Sequence, residues 1–315
     1  MARAGYLAGY LVPNGMRLQH LIDREQPFAV APRRVLDLGA GPLSATIGLL
    51  LSTAGHQVRE VVALDTCEKA MRDGTAVLRE IAPQVEVTLV TASAVGRRAR
   101  LPDGPFQAVL IANLLSEIKG SRESIARHVR EMVVASVQRC SGDGCVLLLE
   151  PGTRVAARNL MQVRDEIDPA TTAILAPCTG ADRCPLLGRN AWCHASHPVN
   201  VPGPIARLRC AAGLTGLELS YSYLALAPQP RPVTRDRARL ISDVMADRKR
   251  RLRYVCTADG LATLEWTDGD AVGDLALARR GDSVPRSLAR AWMSPPPRTG
   301  RDRGQRGPAT RGRRR

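Results

Sequence analysis

Three cysteines and two histidines lie close together in the middle of the sequence, between residues 178 and 197. They are Cys178, Cys184, Cys193, His194 and His197. Thiolates that are brought together need a cation to neutralise them, or a second thiol with which to form a disulfide. The first thirty residues lack the long apolar core and the cleavage site of a secretory signal. We therefore expect reduced thiols that bind a metal ion or an iron–sulfur cluster.

The spacing of these residues leaves the identity of the metal open. Five residues separate Cys178 from Cys184 and eight separate Cys184 from Cys193, whereas structural zinc sites usually contain two short Cys-x-x-Cys pairs. The wider spacing suits a bulkier four-iron cluster, which needs four thiolates, commonly three from one loop and one from a distant segment. Zinc is the alternative, with His194 or His197 as a ligand beside the three cysteines.

The other five cysteines have different surroundings. Cys67, Cys140 and Cys145 fall in predicted helices and strands, where a lone cysteine is usually a small buried hydrophobic residue. Cys210 and Cys256 are the candidates for a distant fourth thiolate.

A second candidate site lies near the start of the chain. A predicted apolar strand runs into Gly39-Ala40-Gly41 and then into a helix, and the next apolar strand ends at Asp65. Glycines permit a tight turn and a close approach of the backbone to a ligand, while a carboxylate at Asp65 can accept hydrogen bonds from both ribose hydroxyls. The pair predicts a nucleoside-containing ligand, and a strand-turn-helix without any ligand is the alternative.

Alternating strands and helices position these residues. Predicted strands at 60–64, 85–91, 108–113 and 145–150 alternate with predicted helices at 67–81, 121–136 and 154–167, which favours a parallel sheet covered on both faces. A further strand at 217–226 is expected at the sheet edge. Ligands on such sheets bind at the carboxyl ends of the strands. Besides the glycines and Asp65, that rim would hold Ser93, Asn113, Ser116, Glu117, Glu150 and Gly152.

We predict four parts along the chain. Residues 1–30 form an N-terminal helical segment, with two short helices interrupted at Pro13-Asn14-Gly15. Residues 31–228 form the Rossmann-like domain, which includes the cysteine-rich loop at 176–200. Residues 229–284 hold a basic segment and a hairpin over 251–266, with Asp259-Gly260 as its turn and Cys256 beside it. Residues 285–315 form an arginine-rich tail that is disordered in isolation.

The charge of the chain indicates a polyanionic partner. The net charge is +15, and the last thirty residues, with ten arginines and one acid, carry +9 of it. Aromatic residues make up 3% of the chain, so contacts to phosphate would dominate over base stacking. The basic run from Arg235 to Arg253 is interpreted either as a solvated face or as a nucleic-acid groove. The sequence contains no stretch of eighteen apolar residues, so it predicts no membrane span.

Several motifs together resemble a known family. Leu36-Asp37-Leu38-Gly39-Ala40-Gly41 with Asp65 resembles class I S-adenosylmethionine-dependent methyltransferases. Residues 5 to 270 resemble more closely the mitochondrial small-ribosomal-subunit methyltransferase-like assembly factors and their bacterial relatives. The matching segments are Glu150-Pro151-Gly152-Thr153, Ala176-Pro177-Cys178, Cys184-Pro185-Leu186, Trp192-Cys193-His194 and Ser222-Tyr223-Leu224.

The resemblance implies a fold, two cofactors and a partner. The fold is α/β, a Rossmann-like class I methyltransferase sheet with a cysteine-rich metal-cluster insertion and a small C-terminal β extension. The partner is small-subunit rRNA in the assembling small ribosomal subunit, in the cytoplasm of a bacterium, and the chain is expected to be a monomer. A [4Fe-4S] cluster, with zinc as the alternative, would bind Cys178, Cys184, Cys193 and Cys256, leaving Cys210 spare and the histidines as neighbours. S-adenosylmethionine would bind at Asp37, Gly39, Gly41, Asp65, Ser93 and Asn113.

The sequence also departs from the wider methyltransferase pattern. A third glycine is replaced near Leu43, the strand ending at Thr91 lacks an acid, and Asn113-Leu114-Leu115-Ser116 stands where Asn-Pro-Pro-Tyr is expected. We therefore predict an rRNA-binding assembly factor that needs no catalytic residue. The alternatives are an active rRNA methyltransferase, in which Asn113 or Glu117 orients the acceptor, and a cluster-based redox or iron sensor of ribosome assembly.

Overall fold

The computed structural model describes residues 7–96, 99–180, 183–199, 203–211, 218–229, 236–247, 250–268, 270, 272–290 and 293–294. Within these ranges the strands form an eight-stranded and a six-stranded sheet. The first sheet contains β1 (Arg34–Leu38), β2 (Glu60–Asp65), β3 (Glu86–Thr91), β4 (Phe106–Ala112), β5 (Cys140–Pro151), β6 (Ala173–Ala176), β7 (Ala195–Pro198) and β8 (Glu218–Ala227). Its helices are α1 (Val12–Glu25), α2 (Ser44–Leu50), α3 (Glu68–Ile81), α4 (Arg122–Arg139), α5 (Arg154–Asp165) and α6 (Gly203–Ala211).

The first sheet has the strand order β3-β2-β1-β4-β5-β8-β6, with β7 also paired to β8. Strands β1 to β5 are parallel, and β8 runs antiparallel to β5. This order confirms the predicted α/β Rossmann-like sheet. The prediction of β8 as the sheet edge is wrong, because β6 and β7 pair along its other side.

Helices cover both faces of this sheet, as the buried apolar strands require. One face packs against α1, α2 and α3 through side chains such as Leu21, Leu49 and Met71. The other packs against α4 and α5 through side chains such as Met132 and Leu160. The carboxyl ends of β1, β2, β4 and β5 lie on the same side of the sheet and line one cavity.

Residues 7–25 of the N-terminal segment form one continuous helix. A π-helical turn, Leu7–Leu11, leads directly into α1, so the predicted break at Pro13-Asn14-Gly15 is wrong. Pro13 stands in the first turn of α1, directly after the π-helical turn. Gly48 lets α2 approach α1 closely, since a Cβ on Gly48 would lie 2.4 Å from the Gly15 carbonyl oxygen.

The second sheet contains β9 (Arg237–Leu240), β10 (Met245–Asp247), β11 (Arg250–Thr257), β12 (Gly260–Thr267), β13 (Ser283–Pro285) and β14 (Met293–Ser294), with α7 (Asp274–Leu277) and α8 (Arg286–Arg290) beside it. The predicted hairpin is confirmed as β11 and β12. Its turn is Ala258-Asp259, because Thr257 pairs with Gly260. In the arginine-rich tail, residues 286–290 are helical and 293–294 form β14, whereas 291–292 and 295–315 lie outside the described residues.

The basic run from Arg235 to Arg253 contributes two side chains to the protein interior. Arg239 on β9 and Arg253 on β11 are 5% and 1% exposed. Arg253 donates hydrogen bonds to the carbonyl oxygens of Ser242, Leu275 and Ala278, which satisfies its buried guanidinium. At these two positions both sequence-based interpretations, a solvated face and a nucleic-acid groove, are wrong. In the part of the chain that the structure describes, no helix is both long and apolar enough to span a bilayer.

Candidate functional site

The four cysteines predicted as metal ligands come together in the structure. Cys178 follows β6, Cys184 lies in the next loop, and Cys193 precedes β7. Cys256 lies on β11 of the second sheet, yet all four line one cavity of about 40 Å³ where the two sheets meet. The fold thus supplies a fourth thiol to the cysteine-rich loop from a remote segment.

We call this cavity the thiol cavity, and apolar side chains and two arginines form most of the rest of its wall. Three buried apolar side chains pack against the cysteines: Met161, Leu186 and Ile241. Arg164 and Arg239 line the same cavity and are 6% and 5% exposed. Buried cations beside thiols favour the thiolate, which is the form that binds metals.

Burial raises the pKa of three of these thiols. Desolvation is the largest cause for Cys184, Cys193 and Cys256, and negative charge on neighbouring cysteines adds to it. The pKa of Cys256 rises to about 12. The sulfurs therefore lie close enough to repel one another when ionised. A bound metal centre would remove this repulsion, because its positive charge neutralises the thiolates.

The four cysteines of the thiol cavity match the donor set of a four-thiolate metal group. Among the described His, Cys, Asp and Glu side chains, no group of three or more could hold a metal ion as placed. His194, one alternative zinc ligand, stacks on Trp192 with ring centroids 5.4 Å apart. It lines a smaller cavity together with Cys193.

His197, the other alternative zinc ligand, is not among the described residues that line the thiol cavity. Its ring centroid lies 4.7 Å from that of His20 on α1. Its Nε2 atom is buried 3.6 Å from Oδ1 of Asp282. Burial, followed by the charge of Arg24, lowers the pKa of His197 to about 4, so the ring is neutral at physiological pH.

The second candidate site is a larger cavity, about 900 Å³ in volume, at the carboxyl ends of β1, β2, β4 and β5. We call it the glycine cavity. Five of the six residues predicted to bind the methyl-donor cofactor line it: Asp37, Gly39, Gly41, Asp65 and Asn113. The sixth, Ser93, is not among the described lining residues, and its hydroxyl donates to the Val95 carbonyl oxygen at 2.8 Å.

The turn after β1 needs left-handed backbone. Gly39 and Gly41 have φ angles of 70° and 48°, and a Cβ on Gly39 would lie 2.8 Å from the Leu114 side chain. Leu43, near which the third glycine of the pattern is replaced, has a φ of 57°. Asn113 has the same φ and donates its N–H to the Leu149 carbonyl oxygen at 2.7 Å. Asparagine tolerates this conformation better than most residues.

Two acids of the glycine cavity have different environments. Asp65 accepts hydrogen bonds from the backbone N–H groups of Gly41 at 2.9 Å and Cys67 at 2.7 Å, which ties the two loops together. Asp37 is 1% exposed. Burial raises the pKa of Asp37 to about 6, and two hydrogen bonds from Thr46 partly oppose the rise.

Sequence reasoning missed several residues at this cavity. Asn14 and Arg17 on α1 line it, although the N-terminal segment carries no recognisable chemical motif. Cys67 also lines it and is exposed, so its prediction as a buried hydrophobic residue is wrong, whereas Cys140 and Cys145 are buried as predicted. Patterns within one segment do not reveal which remote cavity the segment will cover.

Glu150 supports a turn in the wall of the glycine cavity. It is fully buried and accepts hydrogen bonds from the Leu115 N–H at 2.8 Å and the Ser116 hydroxyl at 2.6 Å. Burial raises the pKa of Glu150, while these hydrogen bonds oppose the rise. The carboxylate thereby holds the turn that presents Ser116 and Glu117 to the cavity.

Arg239 connects the two sites. Its guanidinium donates to both oxygens of Glu25 at the end of α1, at 2.6 and 2.9 Å. It also donates to the carbonyl oxygen of Pro177, next to Cys178, at 3.2 Å and to that of Gly281 at 2.6 Å. One buried cation therefore holds the cysteine-rich loop, the second sheet and the helix that lines the glycine cavity.

A family of ribosomal proteins matches most of the chain. The family model described as mitochondrial small ribosomal subunit Rsm22 matches residues 16–274. No curated protein matches the chain significantly.

Solved structures of methyltransferases also align with the chain. An rRNA methylase from Streptococcus thermophilus is 11% identical, with 65% of this chain and 92% of that chain covered and a TM-score of 0.36. Magnesium protoporphyrin IX methyltransferase from Synechocystis is 12% identical, with 69% and 81% covered and a TM-score of 0.41. A ribosomal protein L11 methylase from Lactobacillus delbrueckii subsp. bulgaricus is 13% identical, with 68% and 78% covered and a TM-score of 0.37. The family match carries the assignment.

Proposed function

The chain belongs to the mitochondrial small ribosomal subunit Rsm22 family, and from this we propose that it binds small-subunit rRNA and supports assembly of the small ribosomal subunit. In this proposal it is methyltransferase-like, binds S-adenosylmethionine in the glycine cavity, and holds a [4Fe-4S] cluster on four cysteines. The observation that carries the proposal is the convergence of Cys178, Cys184, Cys193 and Cys256 on one cavity.

The chemistry of the thiol cavity supports a cluster. Four thiolates are the ligand set of a [4Fe-4S] cluster, and such a cluster is anionic overall. Arg164 and Arg239, both buried in the cavity wall, supply compensating positive charge. The cluster would join the cysteine-rich loop to β11 and so stabilise the contact between the two sheets.

The glycine cavity supports a nucleoside cofactor. Gly39 and Gly41 leave backbone exposed to a ligand, and Asp65 presents a carboxylate at the end of β2. The free lone pairs of that carboxylate suit the two hydroxyls of a ribose. The high positive charge of the chain supports an RNA partner, since phosphate contacts supply most of the affinity in such complexes.

The thiol cavity can be tested by metal analysis. Wild-type protein, Cys256→Ser and Cys210→Ser would be purified without oxygen and assayed for iron, sulfide and zinc. We expect about four irons and four sulfides in the wild type and in Cys210→Ser, and loss of both in Cys256→Ser. Cys210 is the matched control because it is exposed on α6 and does not line the cavity. A colourless wild type with one zinc would contradict the cluster.

The RNA partner can be tested by salt-dependent binding to small-subunit rRNA. Each phosphate contact contributes a slope of about 0.7 to 0.9 in log affinity against log salt. Removal of residues 295–315, which carry +7 of the +15 net charge and leave α8 and β14 in place, should flatten that slope if the tail contacts RNA. An affinity for rRNA no stronger than that for unrelated RNA of equal length would contradict the proposed partner.

An active rRNA methyltransferase is the second candidate function. The observation that favours it is that Asn113, Ser116 and Glu117 line the glycine cavity beside the predicted cofactor residues. These polar groups could orient an acceptor base. A comparison of rRNA modification maps between a deletion strain and the wild type decides this point, because identical maps would leave the protein without a methylated rRNA product.

A further inference from the structure

The charged lining of the glycine cavity is unequal. Its described wall contains three acids, Asp37, Asp65 and Glu117, and one cation, Arg17. S-adenosylmethionine carries an ammonium group, a sulfonium group and one carboxylate. The acids suit the positively charged ammonium and sulfonium groups. The negatively charged carboxylate needs a cation, and among the described lining residues that cation is Arg17.

Arg17 is held in place by its helix. It lies one turn beyond Asn14, whose side-chain oxygen accepts a hydrogen bond from the Arg17 Nη1 atom at 2.5 Å. Helix α1 itself is fixed against α2 by the close approach of Gly15 and Gly48. At the other end of α1, Glu25 is paired with Arg239. The guanidinium is therefore pre-organised, which lowers the entropy cost of binding an anion.

We propose that Arg17 binds the carboxylate of the amino-acid end of S-adenosylmethionine, and this inference rests on the proposed cofactor binding. The planar guanidinium matches a carboxylate in geometry, and charge-assisted hydrogen bonds of this kind are among the stronger ones in proteins. Asp65, which approaches Gly41 from β2, is then left to the ribose hydroxyls in the central part of the ligand. Arg17 would make α1 a component of the cofactor site.

The proposal predicts discrimination between two ligands that differ by one group. Decarboxylated S-adenosylmethionine retains the ribose, the sulfonium and the amine and lacks only the carboxylate. We expect the full-length wild type to bind S-adenosylmethionine about 10- to 100-fold more tightly than the decarboxylated ligand, since a hydrogen-bonded pair with a charged group contributes about 1.5 to 3 kcal/mol.

The test is calorimetric titration of both ligands into wild-type protein, Arg17→Met, Arg17→Lys and Arg79→Met. Arg17→Met should weaken binding of S-adenosylmethionine by the same 10- to 100-fold and leave the decarboxylated ligand within about twofold, and Arg17→Lys should recover part of the loss. Arg79→Met is the matched control, because Arg79 is exposed on α3 and is not part of the described lining. Thermal unfolding verifies that each variant is folded.

Three results would overturn the assignment of Arg17. An equal loss for both ligands would show that Arg17 supports the wall of the cavity and not the carboxylate. Unchanged affinity of Arg17→Met for S-adenosylmethionine would show that the carboxylate binds elsewhere and leaves Arg17 for another anion, such as an RNA phosphate. If the wild type binds neither ligand, the proposed cofactor binding fails and the role of Arg17 fails with it, a pattern distinct from the other two.

Discussion

Replacement of Glu25 by Gln should destabilise the protein by about 3 to 5 kcal/mol, because it leaves the charge of Arg239 buried without its anion. The side chains of Arg239 and Glu25 are 6% and 15% exposed, and the closest N–O distance between them is 2.6 Å. The carbonyl oxygens of Pro177 and Gly281 would still accept hydrogen bonds from Arg239 but carry no net charge. The free energy of unfolding, measured by denaturant titration, checks this value.

A matched pair on the surface provides the control. Arg72 and Glu68 have the same closest distance, 2.6 Å, but their side chains are 71% and 47% exposed. Glu68→Gln should therefore change the free energy of unfolding by about 0.5 kcal/mol or less. The double variant Glu25→Gln with Arg239→Met should regain much of the loss, because it removes the unpaired charge. Equal effects of Glu25→Gln and Glu68→Gln would refute the role given to burial.

The pH dependence of this pair has a definite sign. Burial alone would raise the pKa of Glu25, but the hydrogen bond and charge of Arg239 outweigh it and lower the pKa below 4.5. The stabilisation is therefore present above the unfolded-state pKa and is lost as the pH falls below about 4.5. The difference in stability between wild type and Glu25→Gln should shrink in that acidic range.

Three further predictions follow from burial and close packing. Asp37→Asn should raise the free energy of unfolding by up to about 3 kcal/mol above pH 6, because the raised pKa of about 6 makes the ionised carboxylate costly in the folded protein. The gain should vanish towards pH 4. Denaturant titrations across this range check it, and a pH-independent difference would contradict it. Burial lowers the pKa of His197 to about 4, so acidification from pH 6.5 towards pH 4 should lower the free energy of unfolding of the wild type, and His197→Gln should reduce this loss. Gly48→Ala should lower the melting temperature through an overpacking cost of about 1 to 3 kcal/mol, because the added Cβ would lie 2.4 Å from the Gly15 carbonyl oxygen. The control Gly188→Ala should be nearly neutral, because a Cβ at Gly188 would have no atom within 4 Å.

Local sequence patterns determined the elements of the first sheet. Apolar runs such as that of β1, followed by Gly39 and Gly41, predict a strand and a tight turn, because strand burial and left-handed backbone are set by the residues themselves. The same reasoning located Asp65 at the end of β2 and found the hairpin that carries Cys256. Residue chemistry also indicated a thiol-bound metal centre, although spacing alone left the fourth ligand open.

Only the tertiary structure decided which remote residues share a site. Arg239 lies in a basic run that a sequence pattern places on the surface, and it is buried because Glu25, 214 residues away, supplies the compensating charge. Arg17 lines the glycine cavity because α1 packs on α2, a contact that no motif within α1 predicts. Charge burial and cavity walls depend on pairs of distant segments, whereas periodicity and turn chemistry are properties of single segments. The thiol cavity depends on both kinds of information. Its cysteine-rich loop is recognisable from the sequence, whereas its fourth cysteine, Cys256, is brought to the cavity by the second sheet.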